Sequence, residues 1–162
     1  MLPSRGAFEP VNVGWGLVDA ITGLTVDPAA MVSDSLIEIS DWELQDFAIQ
    51  VVRTRLEKDG GKPVTWQSSP DIDPSIWFDD GTDPCWAIVR AVRYPKLQAD
   101  RPPNLEDIKA FCANRSNRGF FASVSAANAH DSFDPTGSNA MRLYRGHGLA
   151  VRFQGLEPLD AA

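Results

Sequence analysis

Hydrophobic residues recur along this chain with two different periods, and the switches between them mark out its elements. From Ser40 the apolar positions Leu44, Phe47, Ala48, Val51 and Val52 fall at helical spacing, and Trp42, Ile49 and Leu56 widen the stripe. Glu43, Asp46, Gln50, Arg53 and Glu57 fill the remaining arc. Ser40 and Glu43 stand three apart, the spacing of a capping box, and Gly60-Gly61 supplies the stop. The period then shortens to two. Lys62 to Gln67 alternates around Val64 and Trp66, and Ser75 to Phe78 makes a second strand. Asp79-Asp80-Gly81 has the chemistry of a hairpin turn. Beyond it, Trp86 to Arg93 is apolar on both faces, as a strand covered from both sides must be.

Arg93-Tyr94-Pro95 closes that strand, and Leu97 to Pro103 reads as a surface connection. Asn104 stands where a cap is needed for a second helix, whose inner face is predicted to hold Leu105, Ile108, Phe111 and Cys112. Phe120 to Ala126 alternates as a strand, the run NAHDSFDPTGSN is a loop long enough to be a candidate functional loop, and Leu149 to Phe153 is a last strand. Nearer the start, Val11 to Val26 is broken by Gly14, Gly16 and Gly23, which predicts one or two short strands ended by Asp27-Pro28. The following AAMVSDSLIEI fits either a short helix or a turn leading to a strand. From residue 40 the order is helix, three strands, helix, strand, loop, strand. That pattern predicts an α/β or α+β fold in which a mixed sheet carries about two main helices.

Composition adds limits. A chain of 162 residues, 43% hydrophobic, suits one globular domain over its whole length. MLPSRGAFEPVNV lacks the apolar core of a signal peptide, and no stretch is long enough to cross a bilayer. Cys85 and Cys112 form no metal-binding or redox pair, so both are expected as reduced core residues. A cytoplasmic location with no membrane partner is the expectation. Net charge is −7, divided into −10 over residues 1–84 and +3 over residues 85–162. An acidic protein repels nucleic acid as a whole, which leaves that partner disfavoured although a local basic face can bind phosphate. The expected outcome is that the two halves meet in one fold and their charges interleave.

Two charged clusters are candidates for chemistry. Asp71, Asp73, Asp79, Asp80 and Asp83 put five carboxylates within 13 positions, with no cation among them. Such a run suits Mg²⁺ or Ca²⁺, yet Asp is equally a turn residue. RLYRGHGLAVR gathers Arg142, Arg145, His147 and Arg152 around two glycines, a composition that favours anions, without a Walker loop or a dinucleotide fingerprint. His130 beside Asp131 is more in keeping with a loop than with catalysis, and Ser123 and Ser125 lack a nucleophile elbow. With two histidines there is no multi-His zinc site within one chain. Of the five tryptophans, Trp15, Trp42, Trp66, Trp77 and Trp86, the pair Trp66 and Trp77 is placed to meet across neighbouring strands.

The order of elements between Ser40 and Ala126 resembles the core of the PD-(D/E)XK, or restriction-endonuclease-like, nucleases. In that family an acid near the second strand and an acid-x-lysine pair on the third hold a divalent metal. Pro70-Asp71 matches the first motif, with Asp73 or Asp79 as alternatives. Where the acid-x-lysine belongs, Trp86 to Val92 contains only Arg90 as a charged residue and no carboxylate. An arginine remains protonated and is a poor base. The resemblance therefore implies a nuclease-like scaffold with a degenerate site at Asp71, Asp73 and Arg90. Its expected role is that of a non-catalytic binding or accessory module, needing no cofactor and serving an unidentified protein partner or a second copy of itself. One alternative is a nuclease whose site has migrated, with Asp71, Asp73 and Asp79 holding Mg²⁺ or Mn²⁺ and Glu43 completing the set. A further alternative is an anion-binding or self-associating domain that sets Arg142, Arg145 and Arg152 against a partner's acidic face.

Overall fold

In the computed structural model the strand from Pro84 to Arg93 runs between two neighbours, and five consecutive residues, Cys85 to Val89, are buried. The structure describes residues 2–4, 7–9, 20–24, 35–131, 133, 136 and 140–159. By its internal contacts the chain divides into two compact units, Met1–Leu36 and Ile37–Ala162. The first contains an antiparallel pair, Leu2–Ser4 (β1) and Ala7–Glu9 (β2), and a turn at residues 20–22. Most of the strand expectation for Val11 to Val26 lies outside the described residues.

The second unit holds two helices, Asp41–Lys58 (α1) and Leu105–Ala113 (α2). Its six strands are Lys62–Trp66 (β3), Ile76–Asp79 (β4), Pro84–Arg93 (β5), Gly119–Asn128 (β6), Leu149–Phe153 (β7) and Glu157–Pro158 (β8). They form one mixed sheet in the order β3-β4-β5-β6-β7, with β8 also paired to β6. β3, β4 and β5 are antiparallel neighbours, β5 and β6 are parallel, and β7 and β8 both run antiparallel along the far side of β6. The parallel pair requires a crossover, and α2 lies within it.

Each face of the sheet takes one helix. Ala48, Ile49, Val52 and Leu56 of α1 pack on Ile76, Phe78, Cys85, Ala87, Val89, Ala122 and Val124. On the opposite face Ile108 and Cys112 of α2 pack on Trp86, Ile88 and Phe121. The capping box forms as the spacing predicts: Ser40 Oγ accepts the Glu43 amide at 3.2 Å and the Glu43 carboxylate takes the Ser40 amide at 2.8 Å. Gly119 has no side chain for a steric reason, since a Cβ there would overlap the Trp86 indole. Both cysteines are free and buried, and burial pushes the Cys112 thiol up to about 11, with the charge of Asp73 adding to the effect.

Several local expectations are corrected. Trp42 is 57% exposed and stands outside the helix stripe. Asn104 occupies the N-cap position of α2 but its side chain makes no capping bond, and Phe111 is 66% exposed, turned away from the face that Ile108 and Cys112 bury. A register shift between Pro63 and Thr65 places Trp66 opposite Ile76 and Trp77 opposite Trp86. Trp66 and Trp77 thus take opposite faces, each under a guanidinium, Arg53 at 3.4 Å and Arg115 at 4.6 Å from the ring centres.

β5 outlasts β4. Their pairing stops at Ile76 opposite Ala87, while β5 continues to Arg93. Side chains take over the vacant edge. Ser75 Oγ accepts the Val89 amide at 3.0 Å, and the buried Gln45 donates to the Val89 carbonyl at 2.7 Å and accepts the Ala91 amide at 3.1 Å. We expect Gln45→Leu, which keeps the bulk and removes both bonds, to cost about 2 kcal/mol in chemical unfolding. A change under about 0.5 kcal/mol, the size of an ordinary surface substitution, would show that the edge is satisfied otherwise.

Candidate functional site

The same vacant edge positions the central charged pair of the molecule. Arg90 lies on the α2 face of β5, in line with Trp86 and Ile88. Asp73 ends the loop that leads into β4, and two residues later Ser75 donates its amide to the Ala87 carbonyl at 2.9 Å. The chain is thereby fixed, and Asp73 faces Arg90 in a fork. Nη1 reaches Oδ1 at 3.0 Å and Nη2 reaches Oδ2 at 2.6 Å, with the side chains only 17% and 8% exposed respectively. Nη1 also donates to the Val89 carbonyl at 3.0 Å. Such a two-point bond fixes the carboxylate in distance and in plane.

A cavity of about 440 Å³ lies over this pair, with Asp71, Asp100, Arg101 and Asn104 among its walls. Asp100 is held by Lys96 at 2.6 Å. The crossover that carries these residues is pinned to β6 by two hydroxyls: Ser123 Oγ accepts the Ala99 amide at 2.8 Å and Ser125 Oγ donates to the Lys96 carbonyl at 2.7 Å.

The proposed metal ligands do not converge. Asp73 precedes β4 and Asp79 ends it, a separation on the order of 15–20 Å along extended chain. Asp79 accepts the Gly81 amide at 2.7 Å within the hairpin turn, where Gly81 has a φ of +97°. Asp80 accepts the amides of Asp83 and Thr82, each at 3.0 Å, and pairs with Arg118; together these donors, the Asp83 amide foremost, hold its carboxyl well below the usual carboxylate range. Arg118 also lies 3.6 Å from Asp83. Asp71 is exposed. Glu43, offered as a completing ligand, lies at the N-terminus of α1 and is bound to Arg145 at 2.6 Å. Among the described residues no group of three or more His, Cys, Asp or Glu side chains is placed to hold a metal ion. Among the described residues the carboxylate that faces β5 is Asp73, and a guanidinium holds both of its oxygens.

The basic cluster is dispersed as well. Arg142 pairs with Glu38 at 3.3 Å, Arg145 with Glu43, and His147 stacks edgewise on Tyr144 at 5.9 Å. Arg152, on the α2 face of β7, lies 4.8 Å from the Phe133 ring centre. With Asp41 bound to Arg93 at 2.9 Å, acids from the first half repeatedly meet arginines from the second, so the two halves do interleave. His130 and Asp131 serve a turn: Asn128 Oδ1 accepts the His130 amide at 3.0 Å and Asp131 Oδ2 accepts the Met141 amide at 2.9 Å. The long loop around them lies partly outside the described residues. Sequence reasoning missed the structural part of Gln45 and Ser75; a glutamine on the apolar arc of an amphipathic helix was the available signal for the first.

A six-stranded mixed sheet with one helix against each face defines the class of domain. Residues 42–159 match the family described as Domain of unknown function (DUF8840), and the chain belongs to that family. No curated protein and no solved structure matches it. No helix among the described residues is long and apolar enough to cross a membrane.

Two predictions arise from these charges. Removing one member of the half-buried fork leaves the other without its counter-ion, so Arg90→Met and Asp73→Leu should each destabilise by about 2–3 kcal/mol. The double variant should lose less than their sum. Strict additivity in denaturant titrations would refute the coupling. Glu43 is held at about 2 instead of 4.5, first by Arg145 and then by the Ser40 amide and hydroxyl. Its depressed pKa stabilises the fold above the unfolded value, and that contribution disappears as pH falls from about 4.5 to about 2. Glu43→Gln should therefore flatten the melting temperature across this window, an effect absent if the wild-type and variant profiles stay parallel.

Proposed function

We propose that this chain is a non-catalytic binding module built on a nuclease-like scaffold. The order α1-β3-β4-β5-α2-β6, with the third and fourth of these strands parallel, supports the scaffold. The observation that carries the functional reading is the Arg90–Asp73 fork. A guanidinium fills the position beside Asp73 that the resemblance assigns to metal and lysine, and it supplies neither a ligand nor a base at any physiological pH.

A surface suited to binding lies next to the fork. Ile72 is 57% exposed and Phe111 66%, and both edge two shallow cavities of about 330 Å³ that share Ile72, Asp73 and Phe111. Asp71 and Asp107 line the first of these cavities, and neither cavity has a lysine or arginine in its wall. Exposed aromatic and aliphatic anchors with acidic neighbours favour a partner protein that presents an apolar side chain among basic ones.

Incubation with duplex DNA, single-stranded DNA and RNA in Mg²⁺ or Mn²⁺ is expected to leave all three intact, and calorimetric titration with Mn²⁺ to give no saturable heat. Cleavage that Asp73→Ala abolishes would overturn the reading in favour of a migrated-site nuclease. A protein that co-purifies at low ionic strength should be released by high salt and by Phe111→Asp. Retention under both conditions would move the docking surface elsewhere.

A further inference from the structure

On the α2 face of the sheet, β7 and β8 follow each other along one edge of β6, and the join between them is irregular. Val124 pairs with Phe153 and Phe121 with Glu157, so two residues of β6 face the three residues Gln154, Gly155 and Leu156. That count is a β-bulge, and Gly155 takes the φ of +115° that such a step demands. Among the described residues the amides of Gln154, Gly155 and Leu156 donate to no acceptor within the protein.

The bulge forms one wall of a cleft of about 640 Å³, a volume within the range of small-molecule sites. Phe121 and Ser123 of β6 form the floor, and Leu97 adds apolar surface, while the Leu156 side chain turns to the α1 face and packs on the core there. Three ionic side chains set the charge. Glu157, in the wall, is taken up by Arg101 from the crossover. Arg152 has no acidic partner among the described residues, which leaves the cleft with one cation in excess. Ser123 Oγ accepts the Ala99 amide, so its own proton is available to a ligand.

We propose that this cleft binds a monocarboxylate with an apolar body. Arg152 neutralises the carboxylate, the Ser123 hydroxyl and the bulge amides donate to its oxygens, and Phe121 and Leu97 cover the apolar part. This site is separate from the Arg90–Asp73 fork and does not rest on the scaffold proposal. A free organic acid and the C-terminus of a peptide share this chemistry, and the assay separates them.

The test is a titration of the ¹⁵N-labelled full chain, followed by amide shifts, with hexanoate, hexylammonium and the tripeptide acetyl-Ala-Ala-Leu carrying a free carboxylate. Hexanoate or the tripeptide is expected to shift Ser123, Gly155 and Leu156 saturably, whereas hexylammonium shifts none of them. Arg152→Gln should weaken binding about tenfold or more while leaving the melting temperature unchanged. The tighter of the two carboxylates identifies the source, free acid or chain terminus, and either result upholds the site. The proposal is overturned if neither carboxylate saturates, if hexylammonium binds as well, or if Arg152→Gln binds within about twofold of wild type.

Discussion

The structure depends on a strand that is longer than its neighbour. β5 must be covered along its whole length, because its middle is buried on both faces, yet β4 pairs with only its first half. Backbone groups in such a position are costly to leave unpaired. The chain meets this demand with Gln45 from α1, with Ser75 at the entry to β4, and with Arg90, which donates to the Val89 carbonyl while its fork holds Asp73. Helix, hairpin and central strand are tied together at this one place.

That arrangement explains why the most suggestive acid in the molecule is not free. Asp73 is held near β5 by the Ser75 bond, and the nearest side chain on the α2 face of β5 is Arg90. A carboxylate so enclosed favours an opposite charge, and a planar guanidinium meets it at two points. Asp79, Asp80 and Asp83 have other work in the hairpin turn, where the first two accept amides and the last two engage Arg118. One stretch of sequence therefore splits into a structural ion pair at one end of β4 and turn chemistry at the other.

Much of the fold was legible because its signals are local. The Ser40–Glu43 box, the Asp79-Asp80-Gly81 turn and the doubly apolar run after Trp86 each carry their reason within a few residues. The failures lie where a distant neighbour decides. Phe111 has helical spacing with the inner face of α2, but it turns away from the face that Ile108 and Cys112 bury. The register shift after Pro63 moved Trp66 and Trp77 to opposite faces, which alternation alone could not reveal. Arg90 and Asp73 were both visible as candidates, but their pairing spans 17 positions and two elements. β8 is only two residues long and exists because β6 offers it an edge.

The parallel junction between β5 and β6 also limits how the chain can be divided. A fragment ending before Gly119 would retain the β3–β4–β5 meander but convert its innermost ribbon into an outer one. Cys85 to Val89 would then present unpaired amides and carbonyls next to the apolar surface of Trp86 and Ile88, the makings of intermolecular strand addition. The crossover and β6 thus act as an intramolecular shield, and truncations or split versions of this domain must carry both with the meander to remain in solution.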